Sequence, residues 1–188
     1  QDNPGRLSRH PHRGATVLVD YAHNPEGLAQ LLTVARALQP RRLGLLLGQA
    51  GNRTDAAITD LARTAAGFAP DRVLIKELPL MLRGRADGAV PALIEQGLKD
   101  GGLAAHQWAH QADEEAAARA LLDWAQAGDV IVLPVHTAAV RDRLTAWLTA
   151  WLASRPSERA RLVRASVSCA WAWLRAARAE ASWAWAGR

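Results

Sequence analysis

The sequence predicts one three-layer α/β domain, with a mainly parallel sheet of about five or six strands and helices on both faces. Short apolar runs alternate along the chain with longer stretches that have apolar side chains at helical spacing. The chain has 188 residues, of which 49% are hydrophobic, so it can bury one sizeable core.

The first half of the chain predicts two strands and two helices. Residues 15–20 (ATVLVD) are apolar and β-branched, as in a buried strand, and residues 43–47 (LGLLL) form a second such run. Residues 26–38 have apolar side chains every three or four positions, with a proline at the first turn, where a helix tolerates it. Residues 55–68 repeat this spacing, which predicts a second helix after the second strand.

The second half continues the alternation. Strands are predicted at 72–75 and 129–133, which are apolar runs, and a short strand is predicted at 103–108. Helices are predicted at 87–99, 113–126 and 138–153. Glycines follow the first two of these helices, in the position where a left-handed residue commonly ends a helix.

Charge and composition divide the chain into a leading linker (1–14), a body (15–153) and a tail (154–188). The net charge of +5 comes from the tail, which has seven arginines and two glutamates, whereas residues 1–153 contain 16 basic and 16 acidic residues. A neutral body gives no indication of a nucleic-acid partner. The tail also holds four of the eight tryptophans. It is interpreted either as a membrane-surface or partner helix, or as a non-native or disordered extension.

The remaining global features predict a cytoplasmic fragment. The chain begins at Gln1 and its only methionine is Met81, so it is expected to be a piece of a longer chain. No apolar run reaches the roughly 18 residues that span a membrane. The single cysteine, Cys169, cannot form an internal disulfide or a multi-cysteine metal site, which favours a reducing cytoplasm and no metal site. The sequence leaves open whether the chain forms homo-oligomers.

Parallel sheets bind ligands at the carboxyl ends of their strands. The loops at those ends are 21–25, 48–55 and 76–85. Asp20 ends the strand before the first of them, and His23 and Asn24 follow just before a helix. A carboxylate in this place can accept hydrogen bonds from ribose, and imidazole or amide groups can stack on or bond to a base. The alternative interpretation is that Asn24 only caps the helix.

The second and third loops carry arginines. Arg53 follows two glycines at the mouth of a helix N-terminus, where a guanidinium and free backbone N–H groups suit a carboxylate or phosphate. Asn52 lies beside it, and Asp55 is expected to cap the helix or to hold Arg53. In the third loop, Arg83 and Arg85 flank a glycine, either as an anion site or as a solvated turn.

The histidines elsewhere are weaker candidates. His10 and His12 are spaced for neither a zinc site nor a triad and are expected on an exposed loop. His106 and His110 are four residues apart, but their segment is predicted to be a strand followed by a loop. His136 follows the last strand and could face the crevice. No Ser/His/Asp or Cys/His set is apparent.

Several motifs, taken in order, resemble the Mur ligase superfamily. DYAHNP at 20–25 is similar to the opening motif of that superfamily's third domain, and NPGR at 3–6 resembles the segment that leads into it. GQAGNRTD at 48–55 resembles the glycine-rich GxxGDRxD loop, with Asn52 in the place of the usual aspartate. The late segment GDVIVL is also similar, and the resemblance covers roughly residues 2–150.

Within the superfamily, the segments IKE at 75–77 and LRGR at 82–85 are most similar to cyanophycin synthetase. The DNPR motif of diaminopimelate-adding muramyl ligases is missing, and LPVH at 133–136 stands where muramyl tripeptide ligases have GKGHE. These absences argue against peptidoglycan synthesis.

The resemblance implies a Rossmann-like, C-terminal domain of an ATP-dependent ligase. In such ligases an acceptor carboxylate is phosphorylated by ATP, and an incoming amine attacks the acyl phosphate to give an amide, ADP and phosphate. A central ATPase domain supplies the phosphate-binding loop and the Mg²⁺ ligands, so no catalytic residue is expected in this chain alone. The implied nucleotide contacts are Asp20, His23, Asn24 and Arg6. The implied contacts to the incoming amino acid and the acceptor peptide are Arg53, Asn52, Asp55, Arg83 and Arg85.

Two other interpretations stay open at this point. The chain could belong to a muramyl-peptide or folylpolyglutamate ligase, which share this architecture, or it could be a stand-alone nucleotide- or anion-binding module. An ATP-grasp domain before a P-loop domain in the same gene would indicate cyanophycin synthetase. A P-loop domain alone would indicate the other ligases, and neither domain would indicate the module.

The isolated chain is expected to release no ADP from ATP, because its sequence contains no Gly-Lys-Ser/Thr phosphate-binding loop. A coupled-enzyme assay on protein freed of contaminating ATPases should read the buffer background. Release above that background would contradict the assignment of ATP hydrolysis to another domain.

Overall fold

The computed structural model describes residues 7–157 and 160. The strands are β1 (Ser8–His12), β2 (Ala15–Asp20), β3 (Leu43–Leu47), β4 (Arg72–Ile75), β5 (Trp108–His110) and β6 (Val130–Pro134). The helices are α1 (Pro25–Ala37), α2 (Asp55–Gly67), α3 (Ala89–Asp100), α4 (Glu114–Trp124) and α5 (Ala138–Ala153). Short 3₁₀ turns cover Pro79–Met81 and Ala105–Gln107. Among the described residues, no helix is long and apolar enough to cross a bilayer.

The six strands form one sheet in the order β1-β2-β6-β3-β4-β5. All neighbouring pairs are parallel except β1 and β2, so β1 is an antiparallel edge strand. The α/β fold with a mainly parallel sheet, predicted from the alternating pattern, is confirmed.

The sheet buries an apolar core on each face, because successive residues of a strand point to opposite sides. Helices α1, α2 and α3 cover one face, and α4 and α5 cover the other. Strand residues of the first core are Leu18, Leu43, Leu45, Leu47, Val73, Ile75, Val130 and Val132. Strand residues of the second core are Ala15, Val17, Val19, Leu46, Leu74, Ile131 and Leu133. This two-sided burial explains why the strands read as continuous apolar runs.

Contacts divide the chain into two compact units, Gln1–Thr149 and Ala150–Arg188. The interpretations of the predicted tail, 154–188, fall mostly outside the described residues. At the other end, the linker predicted over 1–14 is corrected in part, because Ser8–His12 forms β1. That segment is polar and contains a proline, which a strand tolerates only at an edge.

Two boundaries in the middle of the chain also differ from the prediction. The strand expected at 103–108 is the three-residue β5 at Trp108–His110, preceded by the 3₁₀ turn. Its residues are only partly buried or exposed, so the sequence has no apolar alternation to mark it. Helix α3 begins at Ala89 rather than at residue 87, because Gly88 takes a left-handed conformation at its N-terminus.

Helices α2 and α3 pack closely at Gly97. A Cβ at this glycine would lie 2.6 Å from the Cβ of Ala62 and 2.6 Å from the carbonyl oxygen of Thr59. Contacts this short are incompatible with a side chain, so the absence of one at Gly97 sets the distance between the two helices.

Gly97→Ala is expected to lower the free energy of unfolding by about 1–3 kcal/mol, because overpacking outweighs the gain in helix propensity. Gly67, at the end of α2, is the matched control, since no described atom lies within 4 Å of the place its Cβ would take. Gly67→Ala should stabilise by about 0.5–1 kcal/mol. Chemical denaturation of both variants checks the pair, and equal stabilisation would contradict the tight helix contact.

Candidate functional site

A cleft of about 310 Å³ lies at the carboxyl ends of β2, β3, β4 and β6. Its lining residues are Tyr21, His23, Gln49, Ala50, Asn52, Arg53, Leu78, Met81, Arg83 and His136. The structure therefore brings four of the predicted site residues together, namely His23, Asn52, Arg53 and Arg83. All three loops singled out by the rule for parallel sheets contribute to the cleft.

Polar groups of Asn24, Asp20 and His23, in and next to the loop between β2 and α1, form hydrogen bonds with backbone groups. The Asn24 side chain accepts a hydrogen bond from the Gly27 N–H at 2.8 Å, so it caps α1. The carbonyl oxygen of Asp20 accepts from the Val135 N–H at 2.8 Å. His23 Nδ1 lies 3.1 Å from the Tyr21 carbonyl oxygen. Since a carbonyl only accepts, Nδ1 is the donor of this hydrogen bond, and in the neutral ring Nε2 is then an acceptor.

Aromatic rings cluster on this side of the cleft. The centroid of the Tyr21 ring lies 5.1 Å from that of His23 and 5.8 Å from that of His136, the latter edge to face. Tyr21 is 44% exposed, which is high for a large apolar ring. The guanidinium of Arg141 lies 5.6 Å from the Tyr21 centroid. This cluster offers flat surfaces on which a planar ligand can stack.

Gln49 joins the first two loops. It is buried, and its amide nitrogen donates to the His23 carbonyl oxygen at 2.9 Å while its amide oxygen accepts from the Ala50 N–H at 3.0 Å. No role was predicted for this residue from the sequence. A glutamine two residues after the end of a fully apolar strand was the available signal.

The loop between β3 and α2, residues 48–55 (the glycine loop), presents Asn52 and Arg53 on its exposed side. Thr54 caps α2 by accepting from the Ala57 N–H at 3.2 Å. Two of the roles predicted for Asp55 are therefore wrong, since it neither caps α2 nor holds Arg53, whereas its contact with the incoming amino acid stays a prediction. Its carboxylate pairs with Arg85 at 2.7 Å instead.

The two arginines of the third loop point to different places. Arg83 lines the cleft and has a left-handed backbone with φ of 55°. Arg85 contacts the glycine loop and is not among the lining residues. Arg6, the remaining predicted nucleotide contact, lies outside the described residues.

A buried ion pair lies beneath the cleft. Lys76 follows β4, is fully buried, and donates to the Glu114 carboxylate and to the Pro134 carbonyl oxygen. Glu114 also accepts from the backbone N–H groups of His136 at 2.8 Å and Thr137 at 3.0 Å. Burial lowers the pKa of Lys76 to about 8, against the opposing effect of Glu114. Burial alone would raise the pKa of Glu114, but Lys76 and these hydrogen bonds hold it below its usual value.

His136 lies above this pair and is 7% exposed. Its Nε2 lies 3.1 Å from the Ala22 carbonyl oxygen and must donate to it, which leaves Nδ1 unprotonated. Burial, reinforced by the nearby charge of Lys76, lowers the pKa of His136 to about 3. The imidazole is therefore neutral at physiological pH, and the weak sequence candidate becomes part of the cleft wall. No group of three or more His, Cys, Asp or Glu able to hold a metal ion occurs in the described part of the chain.

Comparisons with known proteins agree with this architecture. Residues 5–134 match the family model for the Mur ligase, glutamate ligase domain. A UDP-N-acetylmuramoyl-L-alanyl-D-glutamate–2,6-diaminopimelate ligase of Solibacter usitatus is 34% identical over 139 residues, covering 69% of this chain and 25% of that protein. A cyanophycin synthetase of Geminocystis herdmanii is 35% identical over 95 residues, covering 50% of this chain and 10% of that protein.

Solved structures show the same fold. E. coli FolC in complex with ADP superposes with a TM-score of 0.57 at 18% identity, over 80% of this chain and 33% of that one. The chain spans about a quarter of the length of the first curated relatives that it matches.

The neutral state of His136 predicts a pH dependence of stability. Between pH 7 and 5 the unfolded chain protonates this histidine near its ordinary pKa, whereas the folded chain does not. The unfolded state then binds more protons. The free energy of unfolding therefore decreases as the pH is lowered from 7 to 5, by up to about 2 kcal/mol for one such histidine. Denaturant titrations of His136→Gln should show a smaller fall, and the exposed His106→Gln should retain it. An equal fall in His136→Gln would contradict a neutral, buried His136.

Proposed function

Since the chain belongs to the family of the Mur ligase glutamate ligase domain, we propose that it supplies nucleotide and amino-acid contacts to an ATP-dependent, amide-forming ligase. The observation that supports this proposal is the cleft at the carboxyl ends of parallel strands, which is lined by His23, Asn52, Arg53 and Arg83. The superfamily resemblance read from the motifs is confirmed, and cyanophycin synthetases are among the relatives.

The nucleotide is proposed to bind at the first loop. The rings of Tyr21 and His23 provide stacking surface, and His23 Nε2 is an acceptor for a base amino group or a ribose hydroxyl. Asp20 and Asn24 are proposed as further contacts, with Asn24 using the amide nitrogen that its capping role does not engage. Arg6 keeps the same proposed role by resemblance alone.

The incoming amino acid is proposed to bind between the second and third loops. Arg53 and Arg83 both line the cleft, and its described lining contains no aspartate or glutamate. Two guanidinium groups without a nearby carboxylate suit the carboxylate of an amino acid or peptide. Asn52 adds a neutral amide donor and acceptor where the family motif has an aspartate.

The chemistry divides between this chain and a central ATPase domain. By the superfamily resemblance, the Mg²⁺ ligands and the phosphate-binding loop are proposed to lie in that domain. The groups of this chain would bind and orient the amine beside the acyl phosphate. Closure of this domain over the central one would exclude water that hydrolyses the intermediate.

Two substrate classes have specific support. The LRGR segment favours a ligase of the cyanophycin synthetase type, and Arg83 of that segment lines the cleft. The longer match to diaminopimelate-adding muramyl ligases favours that class instead. Both use the same architecture, so the incoming amine and the acceptor distinguish them.

The test is amine-dependent ADP release by the full-length ligase. Each of the twenty standard amino acids and 2,6-diaminopimelate would be supplied with a cyanophycin primer, a UDP-muramoyl dipeptide or a folate acceptor. Turnover with the primer supports the first class, and turnover only with diaminopimelate and the muramoyl acceptor supports the second. ADP release that no amine or acceptor stimulates would contradict the ligase proposal.

Arg53→Ala in that ligase should raise the KM for the incoming amino acid by about 10- to 150-fold, because a charge-assisted hydrogen bond is worth about 1.5–3 kcal/mol. Arg53→Lys should recover little if the contact is bidentate. His23→Ala should mainly raise the KM for ATP. Arg63→Ala is the control, because Arg63 pairs with Asp60 and Asp100 on the surface of α2 and α3.

The KM for the incoming amino acid and the KM for ATP together show which of these role assignments is wrong. The reverse pattern would show that the roles of Arg53 and His23 are exchanged. Wild-type behaviour of both variants would show that this cleft is not the substrate site.

A further inference from the structure

We infer that Arg85 is a positioning residue: it holds the glycine loop in the shape that presents Arg53 to the cleft, and it does not itself bind substrate. Sequence reasoning grouped Arg85 with the substrate contacts. The substrate role of Arg53 rests on the proposed function, whereas the contacts of Arg85 with the loop do not.

The guanidinium of Arg85 is occupied by acceptors of the glycine loop. Its Nε donates to the Gly51 carbonyl oxygen at 2.8 Å, and its Nη2 donates to the Arg53 carbonyl oxygen at 2.7 Å. Nη2 also lies 2.7 Å from the Asp55 carboxylate. The three acceptors belong to alternate residues of one turn, and a planar guanidinium can engage such a set where a lysine ammonium cannot.

The backbone connects the same two loops. The Gly51 N–H donates to the Met81 carbonyl oxygen at 2.8 Å. A Cβ at Gly51 would lie 2.0 Å from the carbonyl oxygen of Leu82, so only glycine allows this approach. Backbone contact on one side and Arg85 on the other therefore fix the loop between Gly51 and Asp55.

The conformation of the third loop separates the tasks of its two arginines. Arg83 and Gly84 both have left-handed backbones, with φ of 55° and 88°. An L-residue adopts this conformation only at an energetic cost. This turn directs Arg83 to the cleft and Arg85 to the glycine loop. One segment therefore supplies both a residue that lines the cleft and a residue that supports the glycine loop.

Hydrogen exchange of the 188-residue chain tests the positioning directly. Arg85→Met should accelerate exchange of the Gly51 amide by about tenfold or more, through local opening of the loop. Arg83→Met, one glycine away and with the same loss of charge, is the matched control and should change this rate by less than about twofold. An unchanged Gly51 rate in Arg85→Met would overturn the inference. So would an acceleration that extends equally to the amides of β3, since that would show global destabilisation.

The kinetic readout uses the full-length ligase and the amino acid that gives turnover. If Arg85 acts through Arg53, Arg85→Met should raise the KM for that amino acid and leave the KM for ATP unchanged. The double variant Arg53→Ala/Arg85→Met should then be no worse than Arg53→Ala. If the increases in KM caused by the two single substitutions instead multiply in the double variant, Arg85 binds substrate directly. That result would overturn the inference.

The same experiments distinguish a failure of the proposed function from a failure of the inference about Arg85. An unchanged KM in Arg53→Ala would sink the substrate role of the cleft. The exchange rate of Gly51 would still decide whether Arg85 holds the loop.

Discussion

The cleft is built around an ammonium group that is removed from water. Lys76 is fully buried at the end of β4, and a buried charge is tolerated only where other groups compensate for its lost hydration. Its partners come from two other elements, the carboxylate of Glu114 at the start of α4 and the carbonyl oxygen of Pro134 at the end of β6. The ion pair therefore fixes where β4, α4 and β6 meet. The positions of the cleft walls depend on this contact.

Glu114 extends this arrangement to the cleft surface. Its oxygens accept two backbone hydrogen bonds from the segment after β6, which places the ring of His136 against Tyr21 and the carbonyl oxygen of Ala22. A carboxylate in the first turn of α4 is also favoured by the helix dipole. At the opposite end of the sheet, Arg42 pairs with the buried Asp129 and stacks 3.9 Å from the centroid of Trp124. The sheet is thus apolar in its middle and has a charged pair near each end.

Most of the fold could be predicted because its pattern is local. Alternating apolar runs and helical spacing located β2, β3, β4 and β6 within a residue of their bounds. The edge strands β1 and β5 were missed or shifted, because an edge strand can be polar and short. The sequence also located the cleft, since the carboxyl ends of parallel strands share one edge. It could not find the pair of Lys76 and Glu114, which are 38 residues apart and meet only when β4 lies beside α4. The partners of Arg85 were missed for the same reason.

The edge strand β1 has a consequence for the behaviour of the protein in concentrated solution. Exposed edges of sheets are templates for strands of other molecules. Pro11 lies within the β1 ladder, opposite Thr16, and has no N–H with which to continue a ladder outward. At the other edge, β5 is only three residues long. A proline-interrupted strand on one side and a very short one on the other make both edges poor nuclei for intermolecular β-aggregation.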